Sequence, residues 1–470
     1  MMAPAKIQLL REFLGRLPEP VAARLARAVE IDWLSGGTAL PHDVILESLR
    51  PVLRRMTVVE RTPTPLRLFT EPFEDLLSSE PRKGKQKGVI ARDSVQPVWN
   101  WLAQTLLPDE LSRYAMAVKT AVLGYHVDEA RVGATEFRTA ASVALRAALN
   151  TEARRKAACA VLGDELAVAD AQEIALLLAA GVEFCEIRAK LPKPLPNLTD
   201  DYVWMLREIY DRLAASLPDA APYVAVVTMN RLERPWQALK LPLAISHMSQ
   251  DTLISSTDMG LVGELVFGEI ERHAAALLSA KPQAPFDAET LANHLVKFAT
   301  LSSGIVKEVE MRRDGKWGQR LFKDRAAVAE SMEAFMERAP REVLAALPMY
   351  KTGTYAGGPR APDISRPSDP EKTARALSFA RLVMGCRQVA AAASIAAALK
   401  AASGEIELAL KAYGDDIVRE LQAAQGDKRG NAEQYLSVAV ELTALFFSAE
   451  EAEFLRRRGR AALGSNAAAA

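Results

Sequence analysis

The chain has 470 residues, enough for roughly two to four domains with substantial cores. Its 59 acidic and 59 basic side chains cancel, so no whole-molecule field recruits nucleic acid or anionic lipid. With 49% hydrophobic but only 6% aromatic residues, its interiors are aliphatic and alanine-rich, which suits close helix packing.

Helical spacing begins at once, with Ile7, Leu10, Phe13, Leu14 and Leu17 on one face. Leu17-Pro18 then opens a series of Leu-Pro steps, followed by Leu40-Pro41, Leu107-Pro108, Leu191-Pro192, Leu195-Pro196, Leu217-Pro218, Leu241-Pro242 and Leu347-Pro348. Proline disfavours the helical conformation in the residue before it, while leucine can still close a buried helix face. The pattern reads as helix, stop, next helix. The steps have no fixed period, so a regular solenoid does not follow.

A proline-studded stretch interrupts the N-terminal part, residues 1–150, between Thr62 and Pro97. It contains the Pro72-Phe-Glu-Asp-Leu-Leu run and a Gly/Lys segment from Pro81 to Gly88. Alanine-rich helices are expected at Thr139 to Leu149 and Glu152 to Leu162. The central part, 151–350, holds an elbow at Leu191 to Pro196 and a helix from Asp200 to Leu217. Further helices are expected near Asp258 to Ala280, Ala288 to Arg312 and Leu321 to Arg338, with a corner at Asp314 to Gly318. Tyr223 to Thr228 is the one β-like run.

Residues 351–369, rich in Gly, Pro, Ser and Thr, read as a linker or long loop. Ser368 or Asp369 then caps a helix with Pro370 inside it. Phe379, Leu382, Val383, Cys386, Val389 and Ala393 share a buried stripe. Helices near Glu405 to Tyr413, Asp415 to Ala424 and Glu433 to Phe447 complete a C-terminal bundle over 370–465. The expected fold is therefore all-α, an irregular multi-helix stack followed by that bundle.

Chemical motifs are sparse. His42, His126, His247, His273 and His294 include no pair at the i, i+4 spacing of a zinc helix, and no Cys-x-x-Cys accompanies them. Glu269 with His273, and His247 with Asp251, read as same-helix polar pairs. His42-Asp43 resembles the dyad of helical metal-dependent phosphohydrolases but lacks that family's earlier histidine. Asp415-Asp416 and Asp200-Asp201 read as helix starts rather than magnesium clamps. Walker spacing, Gly-x-Gly-x-x-Gly and Gly-x-Ser-x-Gly do not occur. Hence no catalytic, metal or cofactor residue is assigned.

One constellation stands out. Arg82, Lys83, Lys85 and Lys87 sit among glycines with Arg92 close behind, a flexible basic loop fit to meet phosphates or an acidic partner. Trp99 and Trp101 follow at alternate helix positions and form no stacking platform. The leading expectation is a helical protein-interaction scaffold whose partner is a protein. The alternatives are an anion- or nucleic-acid-binding protein using loop 82–92, with nucleic acid disfavoured by charge neutrality, or an enzyme whose site assembles from dispersed residues.

Cys159, Cys185 and Cys386 are too few and too scattered for a disulfide framework. The start, Met1 to Gly15, has no secretory layout. The apolar run Val389 to Leu399 is about half the roughly 20 residues a membrane span needs. These features lead to the expectation of a cytoplasmic protein, and the excess of arginine (40) over lysine (19) fits a bacterial gene.

Overall fold

Leucine before proline ends helices at three of the Leu-Pro steps, whereas Leu241-Pro242 lies within helix Lys240–Ser246. Leu107 (φ −143°, ψ 51°), Leu191 (φ −96°, ψ 123°) and Leu217 (φ −147°, ψ 73°) all leave the helical region. Each is the residue whose backbone the next proline crowds. The computed structural model describes residues 4–53, 62–81, 84–124, 126–246, 258, 260–351 and 360–467. Helix makes up 77% of the structure, and among the described residues strand is confined to two short two-stranded ladders, with one isolated bridge between Leu195 and Leu232. The fold is all-α.

The chain packs as two compact units, Met1–Ser249 with Leu253–Leu265, and Gln250–Thr252 with Val266–Ala470. The boundaries expected near 150 and at 351–369 do not coincide with this division. Helix Val127–Ala148 packs on Glu165–Ala179 across the first, and Lys316–Leu344 packs on Pro370–Cys386 across the second. Glycine and proline mark where a chain turns, whereas apolar faces decide which elements share a core.

In the first unit, helices Pro4–Gly15, Glu19–Ser35 and His42–Leu53 close over Leu14, Ala26, Val29, Ile45 and Leu49. A second core gathers Phe69, Phe73, Trp99, Tyr114 and Phe137, with Tyr114 stacked on Phe137 at 4.5 Å between centroids. Trp99 therefore belongs to this cluster and Trp101 is buried on another side of its helix.

The proline-studded stretch contains a short helix, Pro65–Thr70, capped by Thr64, and a 3-10 turn, Glu71–Leu76. Leu77–Ser78 then pairs in parallel with Ile90–Ala91. Phe69, Phe73, Leu76 and Ile90 are buried, and ion pairs add further ties between this irregular backbone and other elements. Arg67 meets Glu30 at 2.7 Å, Glu71 meets Arg138 at 2.7 Å, and Asp75 meets Arg231 at 2.7 Å.

Three sequence expectations change. Tyr223–Met229 is a helix with every residue buried, because a short element enclosed on all sides can be apolar all round in either geometry. Helix Lys316–Leu344 continues through Pro340, since Phe335, Met336, Ala339 and Val343 keep its buried stripe intact. That packing outweighs a proline cost of about 3 kcal/mol. Ala396–Ala423 is one helix through Gly404 and Gly414, so Asp415-Asp416 lies mid-helix, paired to Arg458 and Arg419.

Other expectations hold with small shifts. The corner expected at Asp314 to Gly318 lies at residues 309–315, between Ala288–Glu308 and Lys316–Leu344, so that Lys316 to Gly318 form the first turn of the second helix. Asp369, not Ser368, caps Pro370–Cys386 by accepting from the Glu371 and Lys372 amides, while Ser368 turns to Gln434. Phe286, Phe335 and Phe379 interlock edge-to-face in the second unit.

The corner is tight: a Cβ on Gly318 would lie 1.8 Å from the Arg312 carbonyl oxygen. Gly318→Ala should cost at least about 1–3 kcal/mol by forcing backbone apart. Gly404→Ala, with nothing within 4 Å of its Cβ, should instead add about 0.8–1 kcal/mol. Urea denaturation midpoints moving in opposite directions would verify both.

Candidate functional site

The basic loop is the natural starting point, and among its described cations Lys85 and Arg92 are engaged within the protein. Arg82 and Lys83 lie outside the described residues. Lys85 donates to Asp170 Oδ1 at 2.8 Å, to the Val89 carbonyl at 2.6 Å and to Glu173. Arg92 spreads both terminal nitrogens over Glu74 Oε1 at 3.3 Å. Lys87 is exposed, its Nζ 5.7 Å from the Tyr223 ring centroid. The loop thus presents Lys87 to solvent, with Lys85 folded inward.

Asp170 and Glu173 are three apart on helix Glu165–Ala179, which Asp164 caps through the Ala167 amide. That spacing puts both carboxylates on one face. Both are buried, and every oxygen is used. Asp170 Oδ2 accepts from Ser94 Oγ at 2.6 Å and the Ala91 amide at 3.1 Å. Glu173 Oε1 accepts from the Gly88 amide at 2.6 Å and the Tyr223 hydroxyl at 2.5 Å. Burial and the adjoining Glu173 carboxylate raise the Tyr223 hydroxyl well above its ordinary pKa, so it remains a donor.

Gly88 makes the close approach possible. Its φ is +86°, and a Cβ there would lie 2.9 Å from Leu265 Cδ1. The result is a strap, residues 84–94, fastened to one helix by two carboxylates. Its polar groups satisfy one another, so the cluster acts as a fastening; substrate chemistry would need free donors or acceptors. Sequence reading missed Asp170 and Glu173. The available signal was two acids inside the run Leu166 to Ala180, which apart from Gln172 is otherwise built from Ala, Val, Leu and Ile.

The remaining titratable groups are placed as follows. His42 Nε2 lies 2.7 Å from Asp32 Oδ2, so its carboxylate partner is Asp32 rather than the adjacent Asp43. His273 Nδ1 lies 2.8 Å from His294 Nδ1, while Glu269 pairs with Arg272. His247 and Asp251 are outside the described residues. Asp200-Asp201 does open a helix, Asp200–Ser216. Among the described residues no group of three or more His, Cys, Asp or Glu side chains could hold a metal ion. Burial pushes the Cys386 thiol up to about 12. Burial also raises Cys185, to about 11, against the opposing effect of Arg138.

A surface feature lies elsewhere in the first unit. Helix Pro108–Leu123 and the turn into Val127–Ala148 border an open depression of about 620 Å³. Arg113, Met116, Ala117 and Thr120 fall on one helix face at i, i+3, i+4 and i+7, with His126 and Glu129 across the turn. Met116 is 64% exposed.

Removing Lys85 alone would leave two buried carboxylates facing each other. Lys85→Met should lower stability by about 3–5 kcal/mol. Lys87→Met, at an exposed ring contact, should change it by no more than about 1 kcal/mol. Thermal or urea unfolding of the two variants side by side tests this ordering.

Comparison of the chain with protein-family models, with curated proteins and with solved structures finds no match.

Proposed function

We propose that the chain is a helical interaction scaffold, and that the depression on helix Pro108–Leu123 receives an amphipathic helix from a partner protein. One observation carries the reading: a large, flexible apolar side chain, Met116, stands open to water beside small residues, with charge at the rim. Methionine adapts to irregular apolar surfaces, and small neighbours let a second backbone come close. From Arg113 to Gly124 the helix rises roughly 16 Å, the length of about three helical turns.

The rim also suggests a direction. Arg113 lies near one end and Glu129 near the other. A docked helix would gain by placing its positive N-terminal end toward Glu129 and its negative C-terminal end toward Arg113.

Lys85 faces two carboxylates and Arg92 faces one, so neither leaves net positive charge for a phosphate, which favours this role over phosphate tracking by these two residues of loop 82–92. Cys159, Cys185 and Cys386 are free thiols, which suits a reducing compartment, and we assign the protein to the cytoplasm on that basis.

The test is affinity capture of the tagged full-length protein, quantified by mass spectrometry, in wild type and two surface variants. A stoichiometric protein partner recovered by wild type and by Leu408→Glu, but reduced about tenfold or more by Met116→Glu, is the expected result. Leu408 is 75% exposed in the other unit and serves as the control. Equal recovery by Met116→Glu, or no stoichiometric partner for wild type, overturns the reading.

A further inference from the structure

Three cations converge on one carboxylate where helix Gly181–Lys190 ends, and their charges do not cancel. Lys193 Nζ lies 2.8 Å from Asp75 Oδ1, and Arg231 Nη1 lies 2.7 Å from Asp75 Oδ2. Arg188 Nη1 is 3.6 Å from that same Oδ2, beyond hydrogen-bond reach. Arg231 gives its other donors to carbonyls: Nε (3.0 Å) and Nη2 (2.7 Å) to Leu191, and Nη2 also to Arg188 at 3.2 Å.

Charge bookkeeping makes the cluster unusual. Asp75 supplies one negative charge, and the carbonyl end of the helix is worth about half of another. Against three cations this leaves an excess of about one and a half positive charges. Nearby acids are committed elsewhere: Glu186 to Lys190 and Arg212, Glu71 to Arg138, Glu74 to Arg92. Arg188 Nη1 is moreover a buried donor without a hydrogen-bond partner. A buried guanidinium N–H with no hydrogen-bond acceptor, in a cationic setting, is costly unless an acceptor comes to it.

The arrangement is layered. The side chains of Asp75 and Arg231 are 3% and 8% exposed, whereas those of Arg188 and Lys193 are 22% and 50% exposed. The inner pair fixes positions and the outer pair reaches solvent. Burial alone would raise the Asp75 carboxyl, but Arg188, Lys193 and Arg231 hold it below the usual range, so it stays an anion and keeps the cations in place.

We propose that this cluster is a binding site for the phosphate group of a small molecule, clamped between Arg188 and Lys193 and backed by the Asp75–Arg231 pair. Guanidinium matches the oxygen geometry of phosphate, and an ammonium adds a mobile point charge. The residues are distinct from loop 82–92.

Isothermal titration calorimetry of the full-length protein with pyrophosphate, inorganic phosphate and adenosine monophosphate, at constant ionic strength, tests the site. Wild type should bind at least one of them at millimolar concentration or below. Lys193→Gln and Arg188→Gln should each weaken binding about tenfold, the equivalent of one charge-assisted hydrogen bond. Lys190→Gln, on the same helix but paired to Glu186, should leave it unchanged. Stronger binding of adenosine monophosphate than of inorganic phosphate identifies an ester as the source, and the reverse identifies the free ion. If Arg188→Gln fails to fold, the half-exposed Lys193 supplies the same comparison. Absence of binding to wild type, equal binding by Lys193→Gln, or equal weakening by Lys190→Gln overturns the proposal.

Discussion

Asp170 and Glu173 carry the order of the first unit's irregular backbone. Two carboxylates buried on one helix are costly until cations and amides reach them. Lys85, Ser94, Tyr223 and the Gly88 and Ala91 amides do so, and all but Tyr223 belong to residues 85–94. Satisfying the acids and fixing the strap are thus one event. The geometry explains why Gly88 stands where any side chain would strike Leu265.

The same logic recurs along the 3-10 turn Glu71–Leu76. Each of its acids finds a cation on a different element: Glu71 with Arg138, Glu74 with Arg92, Asp75 with Arg231. Regular helices elsewhere satisfy their backbones internally and need only an apolar stripe. A stretch broken by prolines cannot, and its position depends on directional contacts that tolerate little displacement. Such pairs add little net stability over apolar packing, yet removing one partner is severe. Their role is to select one arrangement.

Polar groups therefore divide into those that close on themselves and those that do not. The Lys85 network is closed, which is why the most conspicuous basic segment of the chain makes a fastening. The surroundings of Asp75 retain excess positive charge and an unpartnered N–H. The depression beside Met116 leaves apolar surface in water. Incomplete satisfaction, of charge in one case and of apolar area in the other, is what points outward from the folded chain.

Sequence by itself determined what depends on neighbours a few residues away. Leucine before proline ended helices at Leu107, Leu191 and Leu217, Asp164, Asp287 and Asp369 capped them, and 3.6-residue spacing set their buried faces, so the all-α class was legible. Tertiary structure alone decided what depends on partners far along the chain. Lys85 could be read as a phosphate contact because its acids lie 85 and 88 residues on. Tyr223 to Thr228 could be read as β-like, and a helix as ending at Arg338, because enclosure by other elements overrides local preference. A periodic pattern records which way a side chain faces; only packing decides what it meets there.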